Sequence, residues 1–112
     1  MGYVRHHAIV VTSSREQDIT GGIAKATELG LVASVQSPRT VNGYRSFLVC
    51  PDGSKEGWAE SDEGDVAREA FIAWLRAQRY DDGSSNIEWV EVSYGSDDKS
   101  ARIERSEWRP RN

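Results

Sequence analysis

The segment HAIVVT, His7 to Thr12, is apolar on both of the faces that a β-strand presents. Side chains alternate across a strand, so Ile9 and Val11 share one face while Ala8 and Val10 take the other. A strand that buries both faces belongs in the middle of a sheet. The rest of the chain must therefore supply neighbouring strands on either side and cover for both faces.

The remaining segments read in order. The first strand spans Tyr3 to Thr12. Thr12, Ser13 and Ser14 offer N-cap oxygens to a helix that runs to about Leu29, with Ile19, Ile23 and Ala26 on one side. Gly21 and Gly22 weaken that helix by about 1 kcal/mol each relative to alanine, and Gly30 suits its stop. Leu31 to Ser37 is a second strand, ended by Pro38. Asn42-Gly43 signals a tight turn into a third strand, Tyr44 to Cys50. Alternation places Tyr44, Ser46, Leu48 and Cys50 on one face, and Arg45, Phe47 and Val49 on the other. Pro51-Asp52-Gly53-Ser54 is a turn.

Ser61 reads as the N-cap of a second helix, with Asp62, Glu63 and Asp65 in its positive first turn. Val66, Ala67, Ala70, Phe71, Trp74 and Leu75 form its apolar stripe, and Arg76 and Arg79 suit its carboxyl end. Ile87 to Tyr94 and Ser100 to Ser106 are the last strands, joined by a turn over Gly95 to Lys99.

The order β-α-β-β-α-β-β predicts an α+β two-layer sandwich: a mainly antiparallel sheet with two helices on one face. This is a ferredoxin-like arrangement with an extra strand. A single domain over residues 1–106 and a mobile tail over 107–112 are expected. Trp89 points opposite to Val90 and Val92, so the second sheet face near Trp89 is expected to be apolar. A homodimer or higher homo-oligomer would cover it.

Composition narrows the function classes. Of 112 residues, 38% are hydrophobic and 29% charged, which describes a folded, water-soluble chain. No apolar run approaches the roughly 20 residues of a membrane span. The opening MGYVRHHAIVV is too short in its apolar part and too β-branched for a signal peptide. Cys50 is the one cysteine, which excludes an intrachain disulfide and a cysteine metal cluster and suits a reducing cytoplasm. A net charge of −4 argues against binding bulk nucleic acid, yet allows a local basic pocket for a small phosphate. The sequence has no Walker loop, dinucleotide fingerprint or nucleophile elbow, so no cofactor is expected.

Candidate site residues fall into three groups. The first is the arm from Asn42 to Trp58. There Arg45 can grip a phosphate through two parallel hydrogen bonds, and Ser54 and Lys55 can add a donor and a charge. Tyr44 and Trp58 can stack a planar base. The second is Ser13 with Arg15 at the start of the first helix, where unpaired amides favour anions. The third is His6 and His7, catalytic residues only if the protein is an enzyme. As neighbours in a strand they point to opposite faces, so they cannot share a metal ion, and no metal site is expected.

Two blocks carry a resemblance: RHHAIVVTS at Arg5 to Ser13, and NGYRSFLVCPDGSKEGW at Asn42 to Trp58. With the helix SDEGDVAREAFIAWL and the strand WVEVSYG, they resemble small proteins encoded by tailed bacteriophages and prophages. The resemblance implies the cytoplasm of a bacterial host and a role in phage counter-defence. Such a role suits a binding protein that sequesters a small anionic nucleotide, the host's immune signal. One alternative is a metal-independent phosphodiesterase that cleaves a cyclic nucleotide signal. Another is an inhibitor that docks on a host protein through the sheet face.

Overall fold

The computed structural model describes residues 5–35, 37, 41–51, 59–95 and 98–107. These form β1 (His6–Ser13), α1 (Glu16–Glu28), β2 (Ala33–Val35), β3 (Arg45–Val49), α2 (Ala59–Ala77), β4 (Ile87–Gly95) and β5 (Asp98–Ser106). The five strands make one sheet in the order β2-β3-β1-β4-β5, and every neighbouring pair is antiparallel. The first four strands have the split β-α-β arrangement of a ferredoxin-like sheet, and β5 adds an edge beside β4. The doubly apolar segment is central, between β3 and β4. Among the described residues no helix is long and apolar enough to cross a membrane.

Both helices pack on one face. Ile9, Val11, Phe47, Val49, Ile87 and Trp89 meet Ile19, Ala26, Phe71, Ile72 and Leu75 in a continuous buried cluster. The contact between α1 and β3 depends on Gly22. A Cβ there would lie 2.6 Å from the tip of the Phe47 ring. The glycine that weakens the helix thus admits an aromatic ring beneath it.

Several boundaries differ from the sequence reading for physical reasons. β2 is three residues long, Ala33–Val35, and lies at the edge of the sheet beside β3. Asn42 and Gly43 both have positive φ, 61° and 76°, as a tight turn requires. The pairing of Val35 with Phe47 places that turn off the hairpin centre, so it is a bend within a longer loop. α2 begins at Ala59, ahead of the expected cap at Ser61. Its buried face is Arg68, Phe71, Ile72 and Leu75, whereas Val66 is 70% exposed. The stripe is therefore rotated from the expected one, and Ile72 replaces Val66 in the core. Trp89 is buried against the helices, so it is not part of the uncovered sheet face. Its indole N–H donates to Glu107 at 2.8 Å, and the Glu107 amide donates to the Trp89 carbonyl. Glu107, expected in a mobile tail, is tied to the sheet; residues 108–112 lie outside the described ones.

Candidate functional site

Two polar clefts flank the core at opposite ends of the helical layer. The first, of about 260 Å³, lies where α1 begins and α2 ends. Its walls come from three separate segments: Arg15, Gln17 and Asp18; Trp74, Gln78, Arg79 and Tyr80; Ser85 and Asn86. Local sequence explains each wall. α1 starts without a side-chain cap, since its N-cap position is Arg15. The Ser13 hydroxyl instead accepts from the Arg15 amide at 3.1 Å and donates to Asp18 at 2.7 Å. This bridge fixes the turn from strand to helix and occupies the Asp18 carboxylate. α2 ends at Ala77, and Arg79 folds back to donate to the Arg76 and Gly83 carbonyls, both at 2.9 Å.

Arg15 is the notable cation of this cleft. It is half-buried, and its partners are neutral. Nη1 donates to the Tyr80 hydroxyl at 2.5 Å, and the guanidinium carbon lies 5.5 Å from the Tyr80 ring centre. The Gln17 amide oxygen, turned toward Arg15, accepts from Nε at 3.2 Å. Among the described residues it has no carboxylate partner. Arg79, by contrast, is ion-paired with Glu107. The Tyr80 oxygen accepts a second hydrogen bond, from Asn86 Nδ2 at 2.7 Å. A phenol has two acceptor sites and one proton, so both acceptor sites are used and the proton remains to donate. A guanidinium and a phenolic O–H thus share one small cleft. Trp74, stacked on Phe71 with planes 13° apart, supplies its aromatic wall.

The second cleft, of about 230 Å³, is lined by His7, Asp65, Arg68, Glu69, Glu91, Glu104 and Arg105. Glu91 and Ser93 continue the inward face of β4 beyond Trp89, so both are buried. Arg105 donates to Glu91 from Nε at 2.7 Å and from Nη2 at 3.3 Å, and it also pairs with Glu69. The bond to Glu91 holds the Arg105 pKa above its ordinary value, against the opposing effect of burial. Arg5 donates to Ser93 Oγ at 2.8 Å, and Ser93 donates in turn to Glu104. His7 Nδ1 lies 3.9 Å from Glu91 Oε2. Four carboxylates face two guanidiniums here, so the cleft is electrostatically unfavourable to anions.

Those of the residues proposed from sequence that are described are dispersed. Arg15 lies in the first cleft and His7 in the second. Ser13 is buried and its hydroxyl is used internally. His6 is on the uncovered face, its ring 5.1 Å from that of Tyr94. Arg45 turns to α1 and pairs with Glu16, while Tyr44 is exposed. Ser54, Lys55 and Trp58 lie outside the described residues. Trp74, Gln78, Tyr80 and Asn86 were not singled out as site residues, because only the chain's path brings them to Arg15. The second cleft left a legible signal: Glu91 and Ser93 stand at inward positions of the alternation in IEWVEVS. Among the described residues no group of three or more His, Cys, Asp or Glu is placed to hold a metal ion. Compared with protein-family models, curated proteins and solved structures, the chain matches none.

Proposed function

We propose that the protein is a binding module for a small, planar, anionic ligand of the nucleotide class, held in the cleft beside Arg15. One observation supports this reading: a half-buried guanidinium that has no carboxylate partner among the described residues shares a cleft with a phenolic proton and an aromatic wall. A phosphate takes the charge and the O–H. A base lies toward Trp74; Gln78 Nε2 and Asn86 Nδ2 already donate to the Trp74 carbonyl and the Tyr80 hydroxyl, so each side-chain amide offers its edges the remaining N–H and its oxygen. In the phage setting that the sequence blocks imply, such a module sequesters a host nucleotide signal, and it needs no catalytic group to do so.

The phosphodiesterase alternative is left with His7, since His6 is on the other face of the sheet. The carboxylates around His7 repel the substrate that reaction requires.

The test is a thermal-shift screen with mono-, cyclic mono- and cyclic dinucleotides. At least one raises the melting temperature of the wild-type protein. Arg15→Ala weakens its binding by about 10- to 100-fold, the loss of one charged hydrogen-bonding partner. Heating the loaded protein releases the nucleotide chemically intact. Binding that is unaltered in Arg15→Ala refutes the site, and recovery of cleaved product refutes sequestration.

A further inference from the structure

The sheet face opposite the helices has an aliphatic centre. Its centre is Val10, flanked by Leu48 and Val90; Val92 and Ile103 continue it across β4 and β5, beside the buried Ala8. Val10 is 37% exposed and Ile103 71%. Tyr44 and Tyr94 are exposed at the rim of this face, and two of the polar groups nearer its centre are satisfied within it. Thr12 and Ser46 hydrogen bond to each other at 2.7 Å, and the His6 ring packs beside Tyr94. Among the residues that β1, β3 and β4 place on this face, Glu88 at one end is the one with a formal charge at neutral pH. A solvated antiparallel sheet face is ordinarily polar, and in this chain 29% of residues are charged. Absence of charge at the centre of a patch is what distinguishes an interface core from ordinary surface.

We infer that this face pairs with the same face of a second copy of the chain, forming a two-fold dimer. Three features favour a copy over another occupant. A two-fold contact sets each residue against its own counterpart region, so a charged centre repels itself and an uncharged one does not. The size is suitable. Four strands about 4.8 Å apart, each about seven residues long at about 3.3 Å per residue, give roughly 440 Å² in projection. Corrugation by side chains raises the accessible area toward the roughly 600 Å² per partner at the low end of specific interfaces. The edges of the sheet do not offer an alternative. β2 is three residues long, and β5 is interrupted by two register shifts and carries Arg102, Glu104 and Arg105. Short, bulged and charged edges resist strand addition.

Interface area does not fix affinity, so the dimer is sought over a wide range of concentration. Sedimentation velocity of the full chain, from about 1 to 500 μM, is expected to show a monomer–dimer equilibrium. Val10→Lys and Val90→Lys place like charges against each other across the two-fold axis and shift the midpoint at least 10-fold toward monomer. Circular dichroism checks that each variant is folded. Ile103→Glu, on the exposed edge strand, serves where a central variant does not fold. A wild-type chain that is monomeric at 500 μM overturns the inference. So does a dimer whose midpoint is unchanged in the folded variants.

Discussion

Gly21 and Gly22 are adjacent in α1, yet alanine at these positions is expected to act in opposite directions. Either substitution gains about 1 kcal/mol in helix propensity. At Gly21 the new Cβ lies 3.8 Å from the Trp74 ring, an ordinary van der Waals contact, so the gain is kept. At Gly22 it lies 2.6 and 2.8 Å from two atoms of the Phe47 ring. The ring is fully buried and packs edge-on against Phe71, with centroids 6.3 Å apart. It has no space to retreat into, and overpacking of this kind costs typically about 1–3 kcal/mol. Propensity is common to both variants, so the difference between them isolates the clash. Urea denaturation should place Gly22→Ala about 1–3 kcal/mol below Gly21→Ala, with Gly21→Ala at or above the wild type. Phe47→Leu removes the two clashing ring atoms, so adding Gly22→Ala to it should cost much less than adding it to the wild type. Equal stability of the two alanine variants refutes the packing argument.

Three further outcomes concern the second cleft. Arg105→Met leaves the Glu91 carboxylate, 1% exposed, without its bidentate partner, and stability should fall by about 3 kcal/mol in chemical denaturation. Glu69→Ala removes only an exposed member of the same cluster and should change stability by less than about 0.5 kcal/mol. The Glu104 carboxyl is held below its ordinary pKa, chiefly by the Ser93 hydroxyl, with help from the charges of Arg102, His7 and Arg5 and against partial burial. A pKa lowered by folding contributes stability above its unfolded value, and that contribution is lost as pH falls through the folded value. Ser93→Ala should therefore raise the Glu104 pKa in an NMR titration. Its stability deficit should be largest above pH 4.5 and shrink on acidification; an unmoved Glu104 titration contradicts the assignment.

Much of the architecture is legible in the chain. The alternation around Ile9 and Val11 places β1 at the centre, and the order of elements leads to the sandwich. Phe47 and Val49 are inward by the same alternation. The misplacements have a common cause. In α2, Val66 and Ile72 both satisfy a broad helical stripe, and only docking against the sheet selects Ile72. At Trp89 the alternation separates two apolar faces but does not say which one the helices cover. For the candidate site, Arg15 was legible as a cation at a helix start. Its setting was not, because Tyr80 and Asn86 are more than sixty positions away and meet it only after α2 crosses the sheet.

Local periodicity, turn chemistry and composition therefore determined by themselves which segments are strands and helices, and that the chain buries a core. They do so because these preferences act between residues a few positions apart. Tertiary structure alone decided which face each strand presents to the helices, and which cations keep a carboxylate partner. Arg45 and Arg105 are neutralised by Glu16 and Glu91, while the hydrogen-bond partners of Arg15 among the described residues are neutral. Charge pairing depends on distance in space, and distance in space is set by packing.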